Sequence, residues 1–271
     1  MSSIIETALY DIGRLETLAE KDTVVHRLDS RAKLIVTLAF ILAVVSFDRY
    51  SISDLLPFFL YPAVIIGLAD LPPDYLLRKL LIVSPFVLFI GIFNPFLDRE
   101  IILQIGSFGI SGGWLSFLSL LIRFTLTVGA ALLLIATTGF PAVCMALAKL
   151  GVPRVITVQL LLLYRYLFVL IEEGITMSRA HSLRSFDRKR LKYRSFTQLL
   201  GDLLLRTMDR AQRIHMAMLS RAFTGEIRAS RPTNFGGREI IFMVASCVAF
   251  IAFRFVNLPD LLGRTIMEIV Q

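Results

Sequence analysis

The sequence lacks a G-x-x-x-x-G-K-[ST] phosphate loop, so it is not read as an ATP-binding subunit of the usual kind. Histidine is scarce. Only His26, His181 and His215 occur, widely scattered, and no His or Cys pair has metal-ligand spacing, which argues against a metal site of the chain's own. His215 lies on an amphipathic stretch and is read as a packing residue. No G-x-S-x-G, H-E-x-x-H or paired-aspartate motif is present, and none of the many serines has a base nearby in sequence. The residues thus offer almost nothing for catalysis. Cys144 and Cys247 are far apart in apolar surroundings and read as buried reduced thiols. The N-terminal "MSSIIETALYDIGRLETLAEKDT" carries acids and lacks a continuous apolar run. It is read as a cytoplasmic lead-in able to form a short amphipathic helix, not as a cleaved signal. No solenoid-period repeat and no low-complexity segment is found.

What the chain has is apolar residue. Of its 271 residues 56% are hydrophobic, with 21 Phe, a single Trp (Trp114) and a mean hydropathy of +0.71. Soluble domains sit at about 45–50%. The excess comes in blocks, Leu34 to Phe47, Leu55 to Ala69, Leu80 to Leu97, Trp114 to Thr138 and Ile240 to Phe253, which read as five membrane spans. Pro57, Pro62, Pro85 and Pro95 fall within them and are expected to kink the helices. Arg123 lies inside the fourth block, where two readings stand side by side: a functional intramembrane charge, or a side chain snorkelling to an interface. Arg27, Arg31 and Lys33 precede the first span, and Arg78 and Lys79 join the second to the third. By the positive-inside rule the N-terminus is cytoplasmic, in an all-α, multi-pass protein of the plasma (inner) membrane.

The net charge is +8, and fourteen of the 29 Arg and Lys lie between Arg179 and Arg238. This island is a cytoplasmic loop, a docking surface for a protein, or a site for anionic lipid; no motif for nucleic acid accompanies it. The expected organisation is a lead-in and four spans over residues 1–139, a cytoplasmic helical module over 140–237, and a last span with its tail over 238–271. Within the module, "PAVCMALAKLG" reads as a short helix with Pro141 near its start and Gly151 at its end. A long helix follows Pro153, then the break "DRKRLKYR", then an amphipathic helix. On the last, Leu200, Leu204, Met208, Ala211, Ile214, Met218 and Ala222 recur at three- and four-residue steps, with Asp202, Arg206, Asp209, Arg210 and Arg213 mostly between. Its methionines suit either ordinary core filling or an adaptable, sliding surface. "SFGISGGW" reads as an external turn.

Each long helix ends in an arginine triplet, Leu183-Arg184-Ser185 and Ser220-Arg221-Ala222. One such arginine is ordinarily a helix cap, in favourable contact with the last carbonyls. Two helices ending alike, each with a small residue after the arginine, suggest two guanidinium forks offered to carboxylates of a partner.

These triplets resemble the paired Ala-Arg-Gly signatures of the transmembrane coupling subunit of energy-coupling factor (ECF) transporters, in the CbiQ branch associated with cobalt and nickel uptake. "HRLDSRAKL" is similar to that family's Asp-Pro-Arg-x-Lys lead-in to the first span, and "FNPF", "LLLIATT" and "VQLLLLYRYLFVL" look alike too. Ser30 stands where Pro is usual, and only the arginine of each signature is retained. The resemblance implies a non-catalytic subunit that binds no cofactor. Two ABC-type ATPases would hold ATP and Mg, and a separate membrane subunit would capture the metal ion. It also implies that Leu183, Arg184, Ser185, Ser220, Arg221 and Ala222 dock the ATPases, while Leu204, Met208, Ala211 and Met218 face the capture subunit. The rival readings are a stand-alone secondary transporter or channel, a membrane-embedded enzyme, and a lipid-binding anchor. The first would need polar groups along a path, for which Arg123 and Asn94 are the notable candidates.

Overall fold

The computed structural model describes residues 13–48, 51–97, 101–105, 108–184, 193–225 and 236–255. In chain order these form a helical stretch over residues 13–19 (α1), then α2 (Ser30–Val45), a 3₁₀ segment (Ser53–Phe59), α3 (Leu60–Ala69), α4 (Pro73–Gly91) and α5 (Asn94–Leu97). A hairpin of β1 (Ile101–Ile105) and β2 (Phe108–Ser111) follows, then α6 (Gly112–Thr138), α7 (Phe140–Lys149), α8 (Arg154–Arg184), α9 (Tyr193–Ser220) and α10 (Gly237–Phe255). The chain divides into two compact units, one of Met1–Thr17 with Phe140–Pro232, the other of Leu18–Gly139 with Thr233–Gln271.

The architecture is helical, as expected, with one addition. β1 and β2 pair antiparallel, Ile105 opposite Phe108 and Ile101 opposite Ser111. From Phe108 onward, the stretch read from sequence as an external turn is therefore a strand followed directly by the first turn of α6 at Gly112, while Ser107 lies outside the described residues. The β-branched run Ile101-Ile102 and Ile110 favours pleated backbone, a weak local signal beside the glycines.

In the larger unit, all five apolar blocks lie in helices. Asp29 starts α2: its carboxylate accepts the Arg31 amide at 2.8 Å, the usual N-cap device. Pro57 stands within the 3₁₀ segment, which delays the regular helix to Leu60. Asp70, in the left-handed region at φ 48°, ends α3, and its carbonyl accepts Lys21 Nζ at 2.6 Å. Pro73 then opens α4 at a position where a missing N–H is harmless. The core is aromatic. Phe40 stacks on Tyr61 at 4.6 Å between ring centres, meets Phe250 of α10 edge-on at 5.4 Å and lies 5.8 Å from Phe58. Val36, Val44, Phe47, Leu55, Leu126 and Ala130 complete it. At Gly91 a Cβ would lie only 2.6 Å from the Phe117 ring, so α4 and α6 approach as closely as a missing side chain allows.

Two side chains close this unit over long sequence distance. Lys33, 5% exposed, donates from Nζ to the Thr137 carbonyl at 2.8 Å and to the His26 carbonyl at 3.4 Å. It thereby joins the start of α2 to the end of α6. Arg254 donates to the Ser46 carbonyl at 3.1 Å and lies over the Phe47 ring at 4.2 Å. Arg123 donates to the carbonyl of Asp48, in the loop beyond α2. That contact favours the snorkelling reading of this charge. Many apolar side chains of α4 face outward, among them Leu81, Phe86 and Phe89, each about two-thirds exposed. Among the described residues, Gly112–Thr138 and Arg154–Arg184 are helices long and apolar enough to cross a bilayer.

The smaller unit is built on α7, α8 and α9. Pro141 sits at the start of α7, and Gly151 (φ 103°) follows its end, with the Val152 amide closing onto the Leu147 carbonyl at 3.1 Å. Phe140 stacks on Tyr164 of α8 at 4.7 Å, and the Tyr164 hydroxyl donates to Glu16 at 2.5 Å.

Candidate functional site: two arginine-bearing helix ends

α8 has 31 residues and α9 has 28. At 1.5 Å per residue each is longer than about 40 Å. They run antiparallel. Glu173 of α8 meets Arg206 and Arg210 of α9, while α8 positions from Gln159 to Leu170 face α9 positions from Thr207 to Met218. Arg184 and Arg221 consequently stand at opposite ends of the pair, roughly 40 Å apart by helix rise.

Arg221 follows the last helical residue of α9. The helix closes through its backbone: the Phe223 amide bonds the Met218 carbonyl at 3.0 Å, and the Ala222 amide bonds the Leu219 carbonyl at 3.0 Å. This is a Schellman closure with Ala222 in the left-handed position, at φ 50°. That position favours glycine, because an L side chain there crowds the following carbonyl. The Met218 and Leu219 carbonyls are thus met by main-chain donors, and the exposed Arg221 guanidinium makes no hydrogen bond or ion pair among the described residues. Ser220 turns back to the Met216 carbonyl at 2.9 Å. Arg184 is the last residue of α8 and is exposed, next to Leu183 at 78% exposure. Ser185 lies outside the described residues.

The expected capture face is divided. Met208, Ala211 and Met218 line a groove of about 480 Å³ between α8 and α9, opposite Leu162, Tyr166 and Leu170. Leu204, 63% exposed, is not among the residues that line it. No residue of α9 whose exposure is described is fully buried, so the stripe legible in the sequence is largely an open surface. His215 lines the same groove. Among the described residues no three His, Cys, Asp or Glu side chains gather as a metal site would require. Cys144, buried in α7, has its thiol pushed above the usual range by that burial.

One residue of this site gives no motif. Glu173 accepts from Arg206 at 2.8 Å with one oxygen and from Arg210 at 3.4 Å with the other. The signal that could have found it is its step from Leu162, Tyr166 and Val169 along α8, which places an acid on an otherwise apolar seam.

Comparison with known proteins bears on these helices directly. The family model described as "Cobalt transport protein", CbiQ, matches residues 21–233. An energy-coupling factor transporter transmembrane protein of Thermosediminibacter oceani is 25% identical over 90% of this chain and 95% of its own length. Its namesake in Bacillus subtilis is 27% identical, over 75% of this chain and 82% of its own length. A cobalt transport protein CbiQ of Salmonella typhimurium is 30% identical over 38% of this chain and 47% of its own length.

Proposed function

The chain belongs to the CbiQ family of cobalt transport proteins, as an energy-coupling factor transmembrane component, and from that premise we propose that it transmits ATP-driven motion to a metal-capture subunit. Two ABC-type ATPases bind the exposed ends of α8 and α9, Arg184 in a carboxylate-bearing groove of one and Arg221 in the other. The cargo is cobalt, with nickel second. The chain is non-catalytic, holds neither nucleotide nor resident metal, and spans the plasma membrane five times with its N-terminus in the cytoplasm.

The observation that carries the reading is the main-chain closure of α9. It leaves Arg221 without a capping role and displays its guanidinium at a fixed helix end. Arg184 ends the antiparallel partner, so the two forks point to two separate docking sites. A planar fork suits a carboxylate better than an ammonium does, and truncating one partner of a desolvated pair costs about 2–5 kcal/mol. The outward Leu, Met and Ala residues of α9, Leu204 and Met208 among them, supply an apolar face for the capture subunit.

The test is co-purification. The tagged chain is expressed with its neighbouring genes, extracted in mild detergent, and run beside Arg184→Glu and Arg221→Glu. An ABC-type ATPase retained by wild type and lost from both variants is the expected result. An ATPase that stays bound to both refutes the assignment of these residues. No ATPase under any condition refutes the coupling role and leaves the basic island as a lipid-binding surface.

A further inference from the structure

The polar cleft beside the groove, about 220 Å³, is lined by Glu173 and by three arginines of α9, Arg206, Arg210 and Arg213. These arginines are spaced by four and then three residues and so occupy one face of the helix. Glu173 engages the first two, one with each carboxylate oxygen. Arg213 makes no ion pair among the described residues. Asp209 is the other acid of the cleft.

A helical turn is 5.4 Å. Sliding α9 along α8 by one turn would carry Arg210 to the place of Arg206, and Arg213 to the place of Arg210. Glu173 would again hold two guanidinium groups. The same slide would repack the groove next to the cleft. That groove is unfilled, about 480 Å³, and two of the residues lining it are Met208 and Met218, unbranched side chains that refill altered space at low cost. A single charged residue on an apolar seam is a known means of fixing the register of two helices. One-turn ratchets between packed elements are a known form of switching.

We propose that Glu173 is a positioning residue that sets the axial register of α8 against α9, and that Arg206, Arg210 and Arg213 form a ladder giving it two registers one turn apart. This goes beyond the coupling role, because the two registers belong to the chain itself. The coupling role enters only when nucleotide is asked to choose between them.

The test is a pair of spin labels at Leu163→Cys and Gln198→Cys, in a Cys144→Ala/Cys247→Ala background. Both labelled sites are exposed, and they lie toward opposite ends of the overlap between α8 and α9, so a slide changes their separation almost one for one. Distances are read by pulsed electron resonance in the full chain in lipid nanodiscs. Two populations about 5 Å apart are expected. Arg213→Gln should remove one population, Arg206→Gln should enrich that same one, and Glu173→Gln should merge both into a broad distribution. A single distribution that neither arginine variant moves overturns the proposal. The measurement is repeated in the complex with and without a non-hydrolysable nucleotide. Two registers that nucleotide does not redistribute leave the ladder standing and count against the coupling role.

Discussion

Ala222 occupies a backbone position that an L-residue adopts at a cost. Its φ of 50° closes α9 in the left-handed conformation. Crowding of Cβ against the following carbonyl costs about 1–2 kcal/mol. Glycine removes that strain but adds about 0.4–1 kcal/mol of freedom to the unfolded chain. Ala222→Gly should therefore tighten the helix end by roughly 0.5–1 kcal/mol net. At room temperature this is about a two- to five-fold change in the local closing equilibrium, too small for a melting curve of the whole chain. Amide hydrogen exchange reads it locally. The Phe223 and Ala222 amides close the turn onto Met218 and Leu219, so both should exchange about two- to five-fold more slowly in Ala222→Gly. Ala222→Val, β-branched at the same φ, should exchange faster than wild type. Copurifying ATPase should be retained in the glycine variant and reduced in the valine variant, because Arg221 is displayed by the turn it precedes. Equal exchange at Phe223 in all three proteins would refute the argument. The glycine of the family signature then has a physical reading: it is the residue that this turn accepts without strain.

Lys33→Met should destabilise the detergent-solubilised protein by about 1–3 kcal/mol, since the buried Thr137 carbonyl loses its donor; thermal unfolding unchanged from wild type would refute it. His26 adds a pH dependence. Burial, then the neighbouring Lys33 ammonium, holds its imidazole below the ordinary value of about 6.5. The folded state thus binds this proton less readily than the unfolded state, so its contribution is complete above about pH 6.5 and is lost as pH falls through the folded value. A His26→Gln variant should show a flatter fall in melting temperature over that acid range, and an unaltered pH profile would remove His26 as the cause.

The apolar blocks were legible because burial in a helix or in lipid demands long runs of one residue class. Pro141, Gly151 and the stripe of α9 were legible because caps and periodicity are local properties. The hairpin was hidden: Gly109, Gly112 and Gly113 read as a turn, while its pairing partner lay in an unremarked isoleucine run. Lys33 was counted as an orientation charge, although its ammonium ends on a carbonyl 104 residues away. No local pattern announces such a contact. The closure at Ala222 was equally silent, since an alanine gives no sign of a left-handed turn. Glu173 was passed over within the long helix read after Pro153. Its role appears only when Arg206 and Arg210, read from sequence as charges between the apolar positions of α9, turn toward it.

The approach at Gly91 has a consequence for how this chain can vary. One volume is shared by two positions 26 residues apart, a hydrogen at 91 and a ring at 117. A methyl group can arrive at 91 only where the ring at 117 has already shrunk. Losing the ring first leaves a void that the new methyl can then fill, whereas the reverse order drives the methyl into the ring. Among relatives, the two positions should therefore drift as a pair and in a fixed sequence of steps, with loss of the ring preceding gain of the side chain.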